Sequence, residues 1–573
     1  MINGDKKKLA KIFYNLTAIF IIMAVFALFA WSGSQIASPI TNIEEPVIDL
    51  SASNLPNYAI RTVTRMFLAV IISFIFTICY ATLAAKNKKA GQIMIPMLDI
   101  LQSVPILGYM SFAAIGFMRL FPGSMMGLEA AAIFVIFTSQ AWNMTFSLHQ
   151  SLNNLPRELN EVSAILRLSA WQKFWQVEMP FATPSLVYNT MMSMSGGWFF
   201  VVASEAISIG NQDFVLPGIG SYIALAINNK DTGAIINAII AMIIVIVIYD
   251  QLLFRPLVVW SEKFRYELSS SQHTSSSWVL KLFQRSSIIT IAKKLFFIIT
   301  RPLLKIKLFD SKKLTVLSFG NNRRNNKYFD YLWYGFLFLS LGLAAAELAN
   351  ILYDKISSQE IIKVTIFGLI TALRVIVLII LASILWVPIG VYIGLRPKLA
   401  EFVQPLAQFL AAFPANLLFP IAVIMISSHN LNPDIWLSFL MIFGTQWYIL
   451  FNVIVGASLF PNDLKEVVKN YKIKGFFWWK KIILPAVMPY FLTGAMAAAG
   501  GAWNASVVAE IVRWGDVTLQ AKGIGSYISL MTDQANYYHV TLGIIVMSLM
   551  VVAINRFFWG PIHKMAAKKF CFD

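Results

Sequence analysis

Two polar segments, each set between long apolar stretches, resemble each other. Residues 158–180 read ELNEVSAILRLSAWQKFWQVEMP, and residues 463–485 read DLKEVVKNYKIKGFFWWKKIILP. In both segments a glutamate, Glu161 or Glu466, precedes a proline by 19 residues. A helix-forming stretch that mixes charges with periodic apolar residues is typical of a surface that docks a partner. The chemistry that these residues suggest is therefore recognition and not catalysis.

The apolar residues of the first segment predict where docking occurs. Ala164, Leu168, Trp171 and Trp175 follow the spacing i, i+4, i+7, i+11, which would place them on one face of a continuous helix. The corresponding apolar residues of the second segment are Val467, Tyr471 and the FFWW run at 476–479. An alternative interpretation is a pair of amphipathic helices that lie on the membrane surface with basic, Trp-rich flanks.

Residue patterns that would support catalysis or metal binding are not found. The sequence contains no GxxxxGK[ST] loop to hold nucleotide phosphates, so we expect that the chain does not hydrolyse ATP itself. Its two cysteines, Cys79 and Cys571, exclude a disulfide scaffold, and its five histidines show no ligand spacing. We therefore predict no catalytic residue, no metal site and no cofactor in this chain.

Polar and aromatic side chains occur within stretches that are otherwise apolar. Such groups are costly in lipid and usually face the interior of a helix bundle, so we expect them to line a pathway for a solute. In chain order they are Gln102, Ser103, Ser139, Gln140, Asn143, Trp198, Thr445, Gln446, Tyr448, Trp503 and Asn504.

The elements that must position these residues follow from the composition. Hydrophobic residues make up 58% of the 573 residues and charged residues 13%, which is too apolar for a soluble chain. Windows of about 20 apolar residues, enough to cross a hydrocarbon core of roughly 30 Å, predict an all-α polytopic membrane protein with about 12 transmembrane helices. The spans are 12–31, 62–84, 93–120, 127–148, 182–204, 233–254, 331–349, 364–392, 402–426, 434–456, 486–508 and 539–560.

The distribution of Lys and Arg predicts the orientation of the chain. With the N-terminus in the cytoplasm, both polar segments and both termini lie on the cytoplasmic side, whereas the opposite loop at 32–60 has no Lys or Arg. The net charge of +18 is then mainly a topology signal. Nucleic-acid binding is the rival explanation, but no basic platform with interleaved aromatic residues accompanies the charge, so we expect no nucleic-acid partner.

The two halves of the sequence are repeats of each other. An offset of 305 residues aligns Glu161 with Glu466 and the GIGSYI run at 218–223 with the same run at 523–528. Because each half holds six predicted spans in the same direction, we predict parallel repeats related by a pseudo-two-fold axis along the membrane normal. The predicted boundaries are 1–260 for the first repeat (core 62–260), 261–330 for a basic cytoplasmic linker, and 331–573 for the second repeat (core 364–565).

Two charged pairs recur near one end of the repeats. Arg65 and Arg374 occupy matched positions near the outer ends of spans and could attract an anion, although snorkelling to the membrane interface is the preferred explanation. Glu205 and Glu510 are expected to be structural partners or contacts of a binding protein, since a carboxylate would repel an anion. In the linker, residues 278–309 mix apolar runs with Lys and Arg, which predicts helices on the inner membrane surface in contact with anionic lipid; a flexible tether is the alternative.

The duplicated polar segments resemble the EAA loop of ABC importer permeases. In that family the loop forms a short coupling helix that docks in a groove of an ATPase subunit. The resemblance implies coupling roles for Glu161, Ala164, Arg167, Leu168 and Trp171, and for Glu466, Val467, Tyr471, Lys472 and Gly475. The family usually has a glycine six residues after the glutamate, where the chain turns. Arg167 and Lys472 stand there, so either the turn differs or these cations contact an acidic rim of the ATPase.

A second resemblance follows each loop, in GGWFFVVASEAISIG at 196–210 and GGAWNASVVAEIVRWG at 500–515. These stretches look like permeases of the nitrate, sulfonate, taurine and bicarbonate importer class, in a fused, duplicated form. The resemblance implies the type I ABC importer permease fold in the bacterial inner membrane. It also implies a cytoplasmic ATPase dimer, a periplasmic substrate-binding protein, and alternating access driven by ATP for a small anion.

Two functions of other classes remain open from the residues alone. An ion-gradient-driven secondary transporter or channel would need intramembrane carboxylates, for which Asp99 and Asp250 are candidates near predicted inner ends. A receptor-like scaffold that only docks a partner would keep the two loops without a continuous polar path. Neither alternative explains two matched loops within a parallel repeat.

Overall fold

A computed structural model describes most of both repeats. The described residues are 48–122, 124–209, 212–264, 277–287, 355–458, 460, 466–468 and 470–562, with isolated helical residues elsewhere. The first and seventh predicted spans, 12–31 and 331–349, lie almost wholly outside this description. Within it, six helices are long and apolar enough to cross a membrane, or eight if each of two bent helix pairs counts as one span.

The first repeat is a series of helices interrupted by one β-hairpin. Its elements are α1 (Leu55–Lys86), α2 (Lys88–Ser103), α3 (Ile106–Leu120), α4 (Met126–Asn153), α5 (Arg157–Ile165), α6 (Ala170–Lys173), α7 (Met179–Glu205), β1 (Ala206–Ile209), β2 (Gln212–Val215), α8 (Ile219–Asn228), α9 (Thr232–Tyr249) and α10 (Arg255–Ser261). In the linker, α11 (Trp278–Arg285) follows.

The second repeat has the same order of elements. They are α12 (Ser358–Gly394), α13 (Pro397–Ala412), α14 (Phe419–Ser428), α15 (Pro433–Phe443), α16 (Gln446–Ser458), α17 (Gly475–Trp478), α18 (Leu484–Ala509), β3 (Ile511–Trp514), β4 (Val517–Gln520), α19 (Ile524–Asp533) and α20 (Tyr537–Ile554). Residues 466–468 and 470 are helical and occupy the position of α5.

The third and ninth predicted spans are each two helices, so the prediction of continuous spans at 93–120 and 402–426 is wrong. Proline disfavours the helical conformation of the residue before it. Val104, before Pro105, is extended with ψ 129°, and Phe413, before Pro414, is extended with ψ 125°. In the second repeat the helices on either side of this break are bent by 74°.

The tenth predicted span is also broken, although its counterpart is not. Helix α4 runs without interruption, whereas α15 and α16 meet at Gly444 and Thr445 with a bend of 43°. The first repeat has Ser139 and Gln140 at these two positions, where the helix continues. This is the main structural difference between the described parts of the repeats.

Four π-helical segments occur as two matched pairs. Phe174–Glu178 leads into α7, and Trp479–Ile483 leads into α18 at the equivalent position. Asp250–Phe254 follows α9, and Asn555–Trp559 follows α20. Such segments add a residue to the helical turn and often mark functional positions. Their recurrence shows that the local backbone was kept in both copies.

Two antiparallel β-hairpins were not predicted from the sequence. Ala206 pairs with Val215 in the first hairpin, and Ile511 pairs with Gln520 in the second. The turn of the second hairpin contains Gly515, whose φ of 55° lies in the left-handed region that favours glycine.

Contacts between the repeats support their parallel arrangement. The backbone N–H of Gly515, in the second hairpin, donates to the carbonyl of Ile227 in the first repeat at 3.1 Å. Beside this bond, Lys230 forms an ion pair of 2.7 Å with Asp516. Equivalent ends of the two repeats therefore lie at the same end of the molecule, which we call the hairpin end. The opposite end, reached through α7 and α18, carries the two polar segments.

Each repeat contributes residues to the hydrophobic core of the other. Leu107, on α3, packs into a core that is otherwise built from the second repeat. In return, Ala412 and Leu417 pack into the core of the first repeat. The broken third and ninth spans therefore hold the two halves together.

Candidate functional site

A buried charge cluster lies at the hairpin end of the first repeat. The guanidinium of Arg65 donates to both carboxylate oxygens of Glu129 at 2.6 Å and to Oε1 of Glu205 at 2.6 Å. It also donates to the carbonyl of Pro217 at 3.1 Å. The hydroxyl of Thr62 donates to the same Glu205 oxygen at 2.7 Å. The exposed fractions of the Arg65, Glu129 and Glu205 side chains are 1%, 5% and 0%, so this network is shielded from water.

The second repeat builds the same cluster with one altered acid. Arg374 donates to Asp434 at 2.9 Å and to Glu510 at 3.2 Å, and Thr371 donates to Glu510 at 2.7 Å. The carbonyl of Lys522, which is equivalent to Pro217, accepts from Arg374 at 2.7 Å. This copy is less shielded, since 13% of Arg374 and 41% of Asp434 are exposed.

The GIGSYI runs complete these clusters. In the first repeat the N–H of Gly220 donates to Oε2 of Glu205 at 2.7 Å, and in the second the N–H of Gly525 donates to Oε2 of Glu510 at 2.8 Å. A Cβ atom at Gly218 would collide with the Glu205 carboxylate, which explains glycine there. Each glutamate therefore caps the first turn of the helix that follows its hairpin.

These contacts correct the prediction that Arg65 and Arg374 attract an anion. Each guanidinium group is occupied by two acidic side chains, so neither arginine is free to bind an anion. Snorkelling does not describe Arg65 either, because its side chain is buried. Glu205 and Glu510 are structural partners of the arginines, as expected. The second acid of each cluster, Glu129 or Asp434, was not recognised from the sequence.

A small, partly open cavity lies between the two repeats. The first repeat contributes α7, and the second contributes the ends of α13 and α15 together with α16 and α18. The lining residues are Ser195, Gly196, Phe199, Phe200, Ala411, Phe413, Ala415, Leu440, Met441, Gly444, Thr445, Tyr448, Gly501 and Ala505. The break between α15 and α16 therefore opens directly onto this space.

Glycines on the two long helices give the cavity its shape. A Cβ atom at Gly196 would lie 3.1 Å from the Tyr448 hydroxyl oxygen, so glycine leaves that hydroxyl accessible. The matched residue of the second repeat is Gly501, where an added Cβ would lie 2.4 Å from Thr445; at Gly500, which aligns with Ser195, it would meet no atom within 4 Å. Gly501 therefore lets Thr445 approach α18 closely. The two glycine pairs thus serve different purposes in the two halves.

Two of the eleven predicted pathway residues, Thr445 and Tyr448, line this cavity. Trp198 lines a second, smaller cavity together with Asp250 and Gln408. Asn504 lies between the repeats, where its side-chain oxygen accepts from the N–H of Ile106 at 2.7 Å. This bond links α18 to the beginning of α3.

The remaining predicted pathway residues occupy other environments. Gln140 is fully buried and packs against Met66 and Gly197, and the Gln446 oxygen accepts from the Trp386 indole at 2.9 Å. Trp503 is a core residue of the second repeat. The hydroxyl of Ser139 donates to a carbonyl of its own helix. Gln102 and Asn143 are exposed and do not line the cavity. The side chain of Ser103 lies outside the described part of the structure.

The first polar segment forms a short helix, then a turn, and then the beginning of a second helix. Helix α5 ends in a turn in which Arg167 N–H donates to Ala164 at 3.0 Å and Leu168 N–H donates to Ser163 at 3.1 Å. This pair of bonds is the Schellman motif, which needs a left-handed residue after the helix. Arg167 supplies that residue with φ 48°. Ser169 then caps α6 by accepting from the N–H of Gln172 at 3.3 Å.

The second polar segment turns in the same way. Lys472 has φ 50°, and the N–H of Ile473 donates to the carbonyl of Val468 at 3.0 Å. Arginine and lysine therefore adopt the left-handed conformation that favours glycine, at the position where the ABC permease loop usually has one. Both explanations of the missing glycine, a turn that differs from the family's and contact of these cations with an ATPase, stay predictions.

The turn also corrects the predicted docking face. Ala164, Leu168, Trp171 and Trp175 do not share one helix, because the chain reverses between α5 and α6. The large apolar side chains that the loop exposes are Val162, Ile165 and Leu166, which are 48%, 79% and 64% exposed, and of the four predicted residues Ala164 is exposed with them. In the second copy they are Val467 (44%), Tyr471 (78%), Phe476 (79%) and Phe477 (58%). Glu161, Arg167, Glu466 and Lys472 are exposed beside them.

A chain of polar contacts links α5 to the membrane helices in the first repeat. Lys173 donates to Asn160 on α5 at 2.7 Å and lies 3.8 Å from Glu178, which also pairs with Lys86 at the end of α1. Only 3% of the Glu178 side chain is exposed, and its Oε2 has no hydrogen-bond partner among the described residues. The second repeat has Leu395, Trp478 and Ile483 at the positions of Lys86, Lys173 and Glu178.

The described residues contain no group of three or more His, Cys, Asp or Glu that could hold a metal ion. The site is therefore built from hydrogen bonds, ion pairs and shape. It consists of a cavity between the repeats, two charge clusters at the hairpin end, and the two exposed polar segments at the opposite end.

Comparison with known proteins agrees with this architecture. The bicarbonate transport system permease protein CmpB of Synechococcus elongatus is 29% identical over 177 residues, which cover 31% of this chain and 60% of CmpB. The nitrate import permease protein NrtB of Leptolyngbya laminosa is 30% identical over 183 residues, 32% of this chain and 62% of NrtB. The glycine betaine/proline betaine transport system permease protein ProW of Escherichia coli is 22% identical over 233 residues, 40% of this chain and 61% of ProW.

The chain thus spans about three fifths of the length of these relatives. Residues 73–254 and, separately, residues 386–558 match one protein family. Together the two matches cover more than half of the sequence and coincide with the two structural repeats. The chain is a multi-pass membrane protein that belongs to the binding-protein-dependent transport system inner membrane component family, and it carries the family domain twice.

Proposed function

We propose that this chain is the membrane-spanning permease of an ATP-driven ABC importer. Its cargo is a small solute, and the similarity to bicarbonate and nitrate permeases supports an anion such as nitrate, a sulfonate, bicarbonate or a related acid. A separate ATPase dimer binds ATP and magnesium, since the sequence has no phosphate-binding loop of its own. A periplasmic substrate-binding protein delivers the cargo to the hairpin end.

The observation that carries this proposal is the duplication of the exposed coupling segment at one end of the molecule. Each copy exposes apolar side chains beside an acidic residue and beside an arginine or lysine whose backbone is in the left-handed conformation. Each copy then continues into one long helix. Those helices, α7 and α18, line the central cavity and end at the hairpins. Movement of a docked partner would therefore be transmitted to the cavity by one continuous helix in each repeat, α7 or α18.

The mechanism follows from this connection. Closure of the ATPase dimer draws α5 and its second copy together, and α7 and α18 rotate as rigid bodies about the interface between the repeats. The cavity then opens at the hairpin end to receive the solute, with Thr445 and Tyr448 in its wall. Hydrolysis separates the coupling segments and returns the opening to the other side.

The same proposal fixes the location of the protein. It lies in the bacterial inner membrane with both termini and both coupling segments in the cytoplasm, which agrees with the excess of Lys and Arg at that end. The linker helix α11 buries Val279 and Leu282 and exposes Trp278, an arrangement that suits a helix at the inner membrane surface.

A second candidate function is transport driven by an ion gradient. Asp250 supports it, because this carboxylate lines the smaller cavity beside Trp198. Its counterpart in the second repeat is Asn555, so only one half would carry the coupling ion. The exposed, duplicated coupling segments have no role in such a transporter, and we therefore favour the ATP-driven importer.

Affinity purification of the tagged chain from native membranes in mild detergent tests the proposal. We expect an ATPase to co-purify at two copies per chain and to be lost when Glu161 and Glu466 are both changed to alanine. Glu360→Ala is the matched control, since this partly buried acid begins α12 at the opposite end. A chain that purifies alone and moves solute down an ion gradient after reconstitution would contradict the proposal.

A further inference from the structure

We propose that the ATPase docks unequally on the two coupling segments, and that the second segment, at 463–485, supplies most of the affinity. Its partner surface is a groove of an ATPase subunit with apolar walls and acidic side chains on its rim. This inference rests on the proposed function and specifies how docking divides between the repeats. Charge, exposed aromatic side chains and the local backbone all distinguish the second segment from the first.

The two segments differ in the charge of their exposed surfaces. Among the described residues, the exposed charged side chains of the first segment are Glu158, Glu161 and Arg167, and those of the second are Glu466, Lys472, Lys474, Lys480 and Lys481. Four lysines beside one acid make the second surface basic, whereas the first has no excess of basic residues. A basic surface attracts an acidic partner and accelerates its association. The second segment is therefore suited to a groove with acidic side chains.

Aromatic side chains add to this difference. By the offset of 305 residues, Tyr471, Phe476 and Phe477 align with Leu166, Trp171 and Gln172. The three aromatic side chains are 78%, 79% and 58% exposed, whereas Trp171 is half-buried and Gln172 is buried. Aromatic residues are enriched in protein interfaces and among the few residues that dominate the binding free energy. The second segment therefore presents the stronger anchors.

The local backbone explains why these aromatic side chains are exposed. In the first segment Ser169 and Gln172 form a reciprocal capping box at the start of α6, and both side chains are buried. In the second segment Lys474 stands in the place of Ser169 and makes no side-chain cap. Gly475 follows it with φ 67°, in the left-handed region that favours glycine. An added Cβ there would meet no atom within 4 Å, so this part of the loop is open to a partner.

Lysine and aromatic side chains lie together on the second segment. The Nζ atom of Lys480 lies over the ring of Phe476, 5.8 Å from its centroid. This contact holds a positive charge beside an apolar ring at the surface. A complementary partner places apolar walls against the ring and carboxylates beside the lysine. The first segment lacks this combination and would bind the same groove less tightly.

An anionic lipid surface is the competing occupant, because it also attracts lysine and aromatic residues. Glu466 favours a protein partner, since its carboxylate is exposed on the same segment and would be repelled by anionic headgroups. Glu161 occupies the matched position in the first segment and is exposed as well. We therefore assign the surface to the ATPase.

Surface plasmon resonance with the full-length chain in phosphatidylcholine nanodiscs tests the inference. The probe is the ATPase that co-purifies with the wild-type chain, identified by its phosphate-binding loop and then purified separately. Tyr471→Ala should weaken binding about thirtyfold, as is usual for an anchor residue of a protein interface. Leu166→Ala, at the matched position of the first segment, should weaken it less than about threefold. Both side chains are exposed, so we expect both variants to fold.

Variants of the lysines test the contribution of charge. Binding to the wild-type chain should weaken at least tenfold between about 50 and 300 mM sodium chloride, because salt screens exposed charges. Lys474→Ser combined with Lys481→Gln introduces the residues of the first repeat and should reduce this salt dependence. Lys474→Arg combined with Lys481→Arg keeps the charge and should retain it.

Three results would overturn the inference: equal weakening by Leu166→Ala and Tyr471→Ala, no weakening by either, or an unchanged salt dependence in the variant without the two lysines. Dependence on the second segment only in nanodiscs that contain anionic lipid would also overturn it and assign the surface to lipid. A wild-type chain that binds no ATPase would contradict the proposed function itself. Equal dependence on the two segments would leave that function intact.

Discussion

At the scale of single residues, the buried arginine clusters explain why each repeat keeps a glutamate before its GIGSYI run. Each arginine joins three helices of its repeat. Arg65 joins α1 to the start of α4 and the end of α7, and Arg374 joins α12 to the start of α15 and the end of α18. Burial makes such pairs costly to break, because the remaining charges lose their partner in a region without water. The clusters therefore fix the hairpin end of each repeat as a rigid unit.

We predict that Arg65→Ala destabilises the protein by about 3–5 kcal/mol, because it leaves two buried carboxylates without a cation. Arg374→Ala should cost less, since 41% of its partner Asp434 is exposed to solvent. Thermal unfolding of both variants in detergent, followed by near-ultraviolet circular dichroism, measures the difference. Equal destabilisation by the two variants would contradict the importance that we give to burial.

The left-handed residues of the coupling segments allow charge and backbone to be tested separately. Glycine adopts the conformation of Arg167 without steric cost, whereas alanine retains a penalty of about 1 kcal/mol. If Arg167 contacts an acidic rim of the ATPase, Arg167→Gly and Arg167→Ala should weaken co-purification equally. If only the turn matters, Arg167→Gly should behave as the wild type. Stimulated ATP turnover by the purified complex reports the outcome, and Lys472→Gly repeats the test in the second copy.

At the scale of elements, the connection between coupling segment and membrane helices differs between the repeats. Lys86 and Lys173 surround the buried Glu178 in the first repeat, whereas the second repeat packs apolar side chains at the same place. The charged side chains of the first repeat and the apolar side chains of the second repeat both fill the space beside a π-helical segment. The charged residues join α1 to α5, whereas Leu395, Trp478 and Ile483 pack in the hydrophobic core of the second repeat.

This difference predicts a double-mutant result. Lys86→Leu alone should destabilise the protein by about 2 kcal/mol, less than a fully buried pair because 45% of the Lys86 side chain is exposed. Adding Glu178→Ile copies the second repeat and should restore most of that loss. Ile483→Glu, which places an acid among apolar residues in the second repeat, is the reverse control and should destabilise strongly. A double variant no more stable than Lys86→Leu would show that the apolar side chains of the second repeat cannot replace the ion pair of the first.

Local patterns predicted the elements that depend on nearby residues. Apolar windows located the long helices, and the matched Glu161 and Glu466 located both exposed polar segments. The partner of Arg65 could not be found this way, because Glu129 and Glu205 are 64 and 140 residues away and only the folded chain joins them. Local patterns could not predict the position of the cavity either, because it depends on which helices of the two repeats pack together.

Other errors have local causes that the sequence does contain. Pro105 and Pro414 divide spans that were treated as continuous, because hydrophobicity was given more weight than the conformational limits of proline. The coupling segment was treated as one helix because its apolar spacing fits, yet Arg167 adopts a conformation that few non-glycine residues tolerate. The hairpins were missed because four-residue strands are too short to show an alternating pattern.

At the scale of the whole molecule, the two repeats are joined at several levels between the hairpin end and the centre. Asn504 links α18 to α3, the broken spans exchange core residues, and the second hairpin contacts α8. The central cavity lies within this interface and takes most of its wall from the second repeat. A fused chain can maintain such an asymmetric interface, because the two halves are encoded separately and always meet in a fixed pairing.

The ion pair between Lys230 and Asp516 predicts a pH dependence at the hairpin end. The hydrogen bond from Lys230 lowers the pKa of Asp516 below its ordinary value, so the pair contributes stability above that value and loses it as the pH falls through the lowered pKa. The protection factors of residues 511–520, which are hydrogen-exchange rates corrected for the intrinsic pH dependence of amide exchange, should therefore be constant from about pH 8 to pH 5 and fall only in stronger acid. In Asp516→Asn the acid-dependent step should disappear, and its persistence would assign the step to another group.

The contact between the second hairpin and α8 should control opening at this end. Opening of the cavity towards the hairpin end requires Gly515 and Asp516 to separate from Ile227 and Lys230, because these contacts join opposite repeats. We expect a cleavable crosslink between Lys230→Cys and Asp516→Cys, in a chain with Cys79 and Cys571 replaced by serine, to stop ATP turnover by the complex. Cleavage of the crosslink should restore it. The control joins Arg513→Cys to Asp533→Cys, an ion pair within the second repeat, and should leave turnover unchanged because these residues move together. Normal turnover by the chain crosslinked between repeats would mean that the hairpin end stays closed during the cycle, and the direction of opening that we propose would then be wrong.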